Sequence, residues 1–173
     1  MLYYSSNGKS PKVGFEEAVL QGLAPDNGLY FPASIPKLST SFFRTIEELN
    51  PDEIAFQVAK QFVGDEIPEE RLKQIVKEVL NFSIPLVKVE KDIYSLELFH
   101  GPTLAFKDIG ARFMARVLRF FLEKKSKSAT ILVATSGDTG GAVASGFYDV
   151  EGINVVILYP SGKISMTQEK QLT

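Results

Sequence analysis

Two short runs of apolar residues constrain the fold of this chain more than any other feature. TILVA at residues 130–134 and INVVILY at residues 153–159 are continuous rather than alternating, which is typical of strands covered on both faces. A third candidate strand, IYSLELF, occupies residues 93–99. Helical patterns follow the three strands, over about residues 109–122, 139–148 and from Met166 onward. Strands that alternate with helices predict an α/β fold with a partial parallel sheet and flanking helices.

The first half of the chain has apolar residues at helical spacing instead. Helices are predicted over residues 15–22, 45–62 and 71–80. Asn81, Ser83 and Pro85 then interrupt the helical pattern. We therefore expect a mostly helical amino-terminal domain over residues 1–85, followed by a partial α/β domain over residues 86–173.

Composition and charge exclude several classes of protein. Nineteen basic and twenty-one acidic residues give a formal net charge of −2, which favours neither a nucleic-acid surface nor a basic membrane patch. The absence of cysteine excludes disulfides and thiolate metal sites, and a single histidine, His100, excludes a multi-histidine zinc site. No apolar run approaches the length of a membrane span. We expect a cytoplasmic protein without a metal, whose partner is a small molecule.

One lysine lies where a parallel sheet binds its ligands. The segment LELFHGPTLAFKD, residues 96–108, places Lys107 in a loop between a strand-like run and a helix, beside Leu104 and Phe106. Apolar surroundings disfavour the charged form of a lysine, and a neutral amine condenses with an aldehyde, which is how enzymes carry pyridoxal phosphate (PLP). The alternative is that Lys107 is an ordinary solvated surface lysine, as most lysines are.

A second loop, ATSGDTGG at residues 134–141, follows the next predicted strand. Its glycines allow close approach of the backbone to a ligand, while Ser136, Thr139 and the N–H groups of the helix start offer donors to a carboxylate or phosphate. The alternative is that Ser136, Asp138 or Thr139 only caps the helix. Because the carboxyl ends of parallel strands share an edge, both loops are expected at one ligand site.

In this order, ELFHGPTLAFKD and ATSGDTGG resemble the threonine synthases, PLP enzymes of the tryptophan synthase β-subunit fold group. The resemblance extends to VGFEEAVLQGLAPDNGLYFP near the amino terminus and to LYPSGKIS near the other end. It implies a carbon–oxygen lyase that converts O-phosphohomoserine and water to threonine and phosphate, the final step of threonine biosynthesis. Open alternatives are another PLP enzyme of this group, such as a dehydratase or phospholyase, and a non-catalytic fragment or binding module.

The resemblance also implies roles for individual residues. Lys107 matches the catalytic lysine that holds PLP as a Schiff base, and Asp138 matches a residue that approaches the ring hydroxyl of the cofactor. The residues matched to substrate binding are Ser136, Gly137, Asp138 and Thr139. His100, Thr103 and Asp108 lie in the matched motif without an assigned role; a loop-stabilising imidazole for His100 and a helix cap for Asp108 are the alternatives.

Threonine synthases are much longer than this chain. The resemblance therefore implies an amino-terminal fragment, without the family's loop for the cofactor phosphate and without its partner for the pyridine nitrogen. We expect such a fragment to be inactive alone. We also expect it to leave apolar faces of its sheet uncovered, which favours self-association.

Overall fold

The computed structural model describes residues 1–172, which fall into two compact units, Met1–Glu78 and a second unit that begins at Val79. Compactness alone does not show that either unit folds independently, so the predicted boundary after residue 85 stays a prediction. Within the described residues, no helix combines the length and the apolar character needed to cross a membrane.

The first unit is mostly helical, as predicted. Its elements are β1 (Tyr3–Ser5), α1 (Phe15–Gln21), β2 (Tyr30–Pro32), α2 (Thr40–Thr45), α3 (Pro51–Val63) and α4 (Glu69–Val79), the last of which ends at the boundary. The two short strands pair antiparallel. Val63, Leu72 and Ile75 are almost fully buried, because the apolar residues of α3 and α4 recur at helical spacing. Ile67, in the connection between the two helices, is also fully buried.

A hydrogen-bonded turn around Asp26 fastens part of the first unit. The Ser5 hydroxyl donates to Asp26 Oδ1 at 2.5 Å, and the backbone N–H groups of Gly28 and Lys9 donate to its two oxygens at 3.0 and 2.9 Å. A Cβ at residue 28 would lie 2.0 Å from Ser5 Oγ, so only glycine fits there. The Asn27-Gly28 turn is therefore held by a carboxylate with three donors.

We expect Asp26→Asn to destabilise the first unit near neutral pH. The Ser5 hydroxyl, together with the N–H groups of Gly28 and Lys9, lowers the pKa of Asp26 from 3.8 to about 2. Because the folded pKa lies below the unfolded one, this stabilisation is present above about pH 3.8 and is lost as the pH falls through about 2. Urea unfolding across that range should show a flatter acid dependence for Asp26→Asn. Asp92→Asn, which removes an exposed carboxylate outside this unit, is the control, and equal curves would contradict the prediction.

The second unit contains the parallel sheet and its flanking helices. Its elements are β3 (Leu86–Glu90), β4 (Ile93–Leu96), α5 (Lys107–Lys124), β5 (Ala129–Ala134), α6 (Asp138–Phe147), β6 (Ile153–Leu158) and α7 (Met166–Leu172). Strands β5 and β6 pair in parallel from Ala129 with Ile153 to Ala134 with Leu158. The predicted α/β class, with a helical first part and a partial parallel sheet, is confirmed.

Helices α5 and α6 pack closely and bury Phe121 and Phe147. Gly146 allows the approach, since a Cβ there would lie 3.1 Å from the Ala111 backbone. Arg116 donates to the Gly146 carbonyl at 2.8 Å across the same contact. The helix that begins with Lys107 is thus fixed against the helix that follows the glycine-rich loop.

The expectation that β5 and β6 are covered on both faces is wrong for the described residues. Alternate residues are half-buried on the face that α6 packs against, whereas Leu132, Val156 and Leu158 on the other face are 66%, 45% and 53% exposed. The continuous apolar runs therefore build a sheet with one uncovered apolar face. Self-association through that face stays a prediction.

The first candidate strand, residues 93–99, forms as β4 but not in the parallel sheet. It pairs antiparallel with β3, a strand that the sequence analysis missed. Only Lys91 and Asp92 separate the two strands, and Asp92 adopts a left-handed conformation with φ of 62°. A connection this short allows a hairpin and cannot make the crossover that parallel strands need.

Candidate functional site

Lys107 is the first residue of α5 rather than a residue of the preceding loop. Its side chain is half-buried, and Nζ lies 5.0 Å from the centroid of the Phe106 ring. The start of a long helix that packs on α6 is a rigid position for an amine. The helix thus fixes the Cα of Lys107 while its side chain remains accessible.

The apolar enclosure expected from Leu104 and Phe106 is not present in the structure. These two side chains are 73% and 61% exposed, and the buried position between them is taken by Ala105. Leu104 has a φ of 58°, and its N–H donates to the Gly101 carbonyl at 3.1 Å, so this stretch is a tight turn that directs its larger side chains to solvent. Of the two side chains, Phe106 lies next to the Lys107 amine, and both are largely open to solvent.

Asp108 fastens the turn to α5. It is 1% exposed, and its two oxygens accept the Thr103 N–H at 2.9 Å and the Thr103 hydroxyl at 2.5 Å. A Cβ at Gly101 would lie 2.5 Å from Asp108 Oδ2, so the turn packs directly on the carboxylate. Asp108 therefore holds the loop before Lys107 instead of capping the helix N-terminus, where no side-chain cap forms.

His100 matches the loop-stabilising alternative. Its Nε2 lies 2.6 Å from Glu97 Oε2, and its ring packs 5.0 Å from the ring of Phe99. In the part of the chain that the structure describes, no group of three His, Cys, Asp or Glu side chains could hold a metal ion.

The glycine-rich loop enters α6 through a cap that the sequence analysis missed. Helix α6 begins at Asp138, and its N-cap residue, Gly137, makes no side-chain cap. Instead, Thr135 Oγ1 accepts the N–H groups of Gly137 and Gly140 at 3.2 and 3.1 Å. The capping role considered for Ser136, Asp138 or Thr139 thus belongs to Thr135, and its signal was a threonine directly after the apolar run.

The structure brings the predicted site residues together in one cleft of about 420 Å³. It lies at the carboxyl end of β5, as predicted for the glycine-rich loop. Lys107 enters it from α5, which follows β4 and not a strand of the parallel sheet. Its lining residues are Lys107, Ala134, Thr135, Ser136, Gly137, Asp138, Thr139 and Gln168. Lys107 and Asp138 are its two charged groups. Gln168, from α7, was not predicted, although Ser165 and Gln168 form the S-x-x-Q signature of a helix start.

Comparisons with known proteins match this chain over nearly its whole length. The family model described as "Threonine synthase N terminus" matches residues 2–80. Threonine synthases from Haemophilus influenzae and Escherichia coli are 49% and 46% identical over 98% of this chain and 39% of their own length. The crystal structure of a PLP-bound threonine synthase from Brucella melitensis has a TM-score of 0.95 at 39% identity, covering 100% of this chain and 38% of that one. The Escherichia coli threonine synthase structure has a TM-score of 0.90 at 45% identity.

The second unit is an α/β structure in which a glycine-rich loop at the carboxyl end of a parallel strand shares a cleft with a lysine amine. Together with the comparisons, this is sufficient to name the family. The chain belongs to the threonine synthase family, and it spans about 40% of the length of the relatives it matches.

Proposed function

We propose that this chain forms the lysine-bearing part of a threonine synthase, a PLP-dependent carbon–oxygen lyase that converts O-phosphohomoserine and water to threonine and phosphate. The observation that carries the proposal is the shared cleft of Lys107 and the loop at residues 136–139. A solvated surface lysine has no reason to face a glycine-rich loop from another strand. The high identity to threonine synthases supports the choice of reaction.

The residues of the cleft fit PLP. The cleft of about 420 Å³ is large enough for a small cofactor, and a half-buried amine lies in its wall. Lys107 would bind the aldehyde carbon of the cofactor, and Asp138 would face its ring hydroxyl. The Brucella melitensis relative, which has the same fold over this whole chain, is a PLP-bound threonine synthase.

Each residue has a defined part in the proposed reaction. Bound PLP supplies a conjugated ring that accepts the electron pair left when a carbon next to the amine loses its proton. Lys107 Nζ, freed when the substrate amine takes its place on the cofactor, would act as the general base that takes this proton from the substrate Cα. Asp108 holds the turn that precedes Lys107. The hydroxyls of Ser136 and Thr139 and the first N–H groups of α6 bind the substrate carboxylate.

A chimera tests the proposal. In it, this chain replaces the matching 38% of the Brucella melitensis enzyme, whose fold it shares with a TM-score of 0.95. We expect the chimera to form threonine from O-phosphohomoserine, with release of phosphate. Ammonia release from threonine or serine without threonine formation would instead indicate a dehydratase. A folded chimera with neither activity would contradict the proposal.

In the chimera, Asp138→Ala should lower turnover while leaving the melting temperature nearly unchanged, because Asp138 lines the cleft and does not cap α6. Thr135→Val is the matched variant, since it removes the acceptor of two N–H groups and should cost about 0.5–2 kcal/mol of stability. Kinetics and thermal unfolding of both variants check this. An Asp138→Ala protein that melts early but turns over normally would favour the capping alternative.

A further inference from the structure

Gln168 faces the cleft from a helix start that fixes its side chain. Ser165 Oγ accepts the Gln168 backbone N–H at 3.2 Å, and Gln168 Oε1 accepts the Ser165 backbone N–H at 3.3 Å. These reciprocal bonds form a capping box at the beginning of α7. The Ser165 hydroxyl also lies 3.2 Å from Gln168 Oε1. The amide is therefore held by its oxygen end.

This arrangement settles which way the amide points. A backbone N–H only donates, so the atom that faces Ser165 N must be the oxygen of the side-chain amide. The nitrogen end then faces the loop, where Nε2 lies 2.9 Å from the position of a Cβ built on Gly137. Among residues 1–172, Nε2 makes no hydrogen bond. Gly137 has an extended φ of 174°, so it is the space taken by Gln168 that excludes a side chain there.

The cleft has more hydrogen-bond donors than carboxylate groups. The Lys107 amine, the Gln168 amide and the hydroxyls of Ser136 and Thr139 all belong to the lining, while Asp138 supplies its one carboxylate. The N-terminus of α6, a helix of ten residues, adds N–H groups and the positive end of its dipole. Such a set of groups suits an oxyanion.

We infer that Gln168 is a binding residue of this cleft, whose amide donates a hydrogen bond to a phosphate or carboxylate group of the bound ligand. The inference deepens the proposed function and rests on it for the identity of the ligand. Among the described residues the amide nitrogen has no hydrogen-bond partner, and the capping box orients it before the ligand arrives. Gln168 would thus act from α7, beside Gly137 of the loop.

Two variants separate binding from structure. Gln168→Glu keeps an oxygen for the Ser165 N–H, so it preserves the capping box, but it removes the donor and adds a negative charge. Gln168→Met removes both functions. Gln171→Glu makes the same charge change on the same helix, at a residue that does not line the cleft, and is the control.

The measurement is the NMR signal of the Gln168 side-chain amide in the ¹⁵N-labelled 173-residue chain. This signal is assigned by its absence from the spectrum of Gln168→Met. We expect inorganic phosphate or acetate to shift it saturably at constant ionic strength. Gln168→Glu, followed by the backbone signals of Gly137 and Thr139, should bind about tenfold or more weakly at an unchanged melting temperature. A larger response to phosphate assigns a phosphate group, and a larger response to acetate assigns a carboxylate.

Unchanged anion binding by Gln168→Glu, or an amide signal that neither anion shifts, would overturn the inference. An equal loss in Gln171→Glu would also overturn it, since helix charge alone would then explain the effect. Its failure is distinguishable from failure of the proposed function, which the chimera tests separately. If the chimera is active but neither anion shifts the amide signal, the proposed function is supported and the inference fails. If the chimera is inactive but an anion shifts the signal, the anion site is supported and the proposed function fails.

Discussion

Replacing Lys107 by Ala is expected to lower threonine formation by the chimera at least about 10³-fold. The substitution removes both the attachment point for the cofactor and a general base, and general-base help alone contributes about 10²–10⁴-fold. Folding should change little, because the side chain is half-buried and its nearest ring, Phe106, is 61% exposed. Steady-state kinetics and thermal unfolding of the same preparation measure the two effects.

Two further variants control this experiment. Lys107→Arg keeps the positive charge beside Phe106 but cannot bind an aldehyde in the same way, so it should be as inactive as Lys107→Ala. Lys127→Ala removes an exposed lysine beyond the end of α5 and should leave turnover unchanged. Substantial turnover by Lys107→Ala would show that another group performs the chemistry.

The 173-residue chain alone is expected to give no measurable threonine formation, even with excess PLP. Lys107 and the loop form one wall of a cleft, and Leu104 and Phe106 beside the amine are exposed. Misplacement of reacting groups by about 1 Å can cost about 10²-fold in rate, and a ligand held on one side is poorly positioned. PLP that this chain binds should therefore react weakly and with several lysines.

The measurement is a coupled assay for threonine and phosphate, with Lys107→Ala as the control for contaminating enzyme. Steady turnover by the unaltered chain, absent from the Lys107→Ala chain, would contradict the prediction. It would show that the described wall of the cleft suffices or that an assembly of several copies completes the site.

The elements around the cleft could be predicted because their apolar patterns are local. The runs at residues 130–134 and 153–159 became β5 and β6, and the helical patterns after them became α6 and α7. The hairpin of β3 and β4 was missed in part because all five residues of β3 are exposed, so no burial pattern marks it. Which face of the sheet is covered depends on packing, and composition alone does not determine it.

The residues of the candidate site could be predicted in part from the sequence. The loop at residues 136–139 lies at the carboxyl end of β5, as predicted. Lys107 reaches the same cleft for a different reason, because β4 is outside the parallel sheet and α5 instead packs on α6. The roles of Asp108 and Thr135 were harder to predict, because their hydrogen-bond partners depend on turn geometry. Gln168 enters the cleft from α7, whose position relative to the loop depends on helix packing. Its capping-box signature predicts a helix start but not what the amide faces.

The most direct test of the account is the identity of the lysine that carries the cofactor. PLP is added to the chimera, the adduct is reduced with borohydride, and the labelled peptides are sequenced. The account predicts a pyridoxyl group on Lys107, its loss in Lys107→Arg, and competition by O-phosphohomoserine. Label on Lys124, Lys125 or Lys127 with Lys107 unmodified would contradict the central claim.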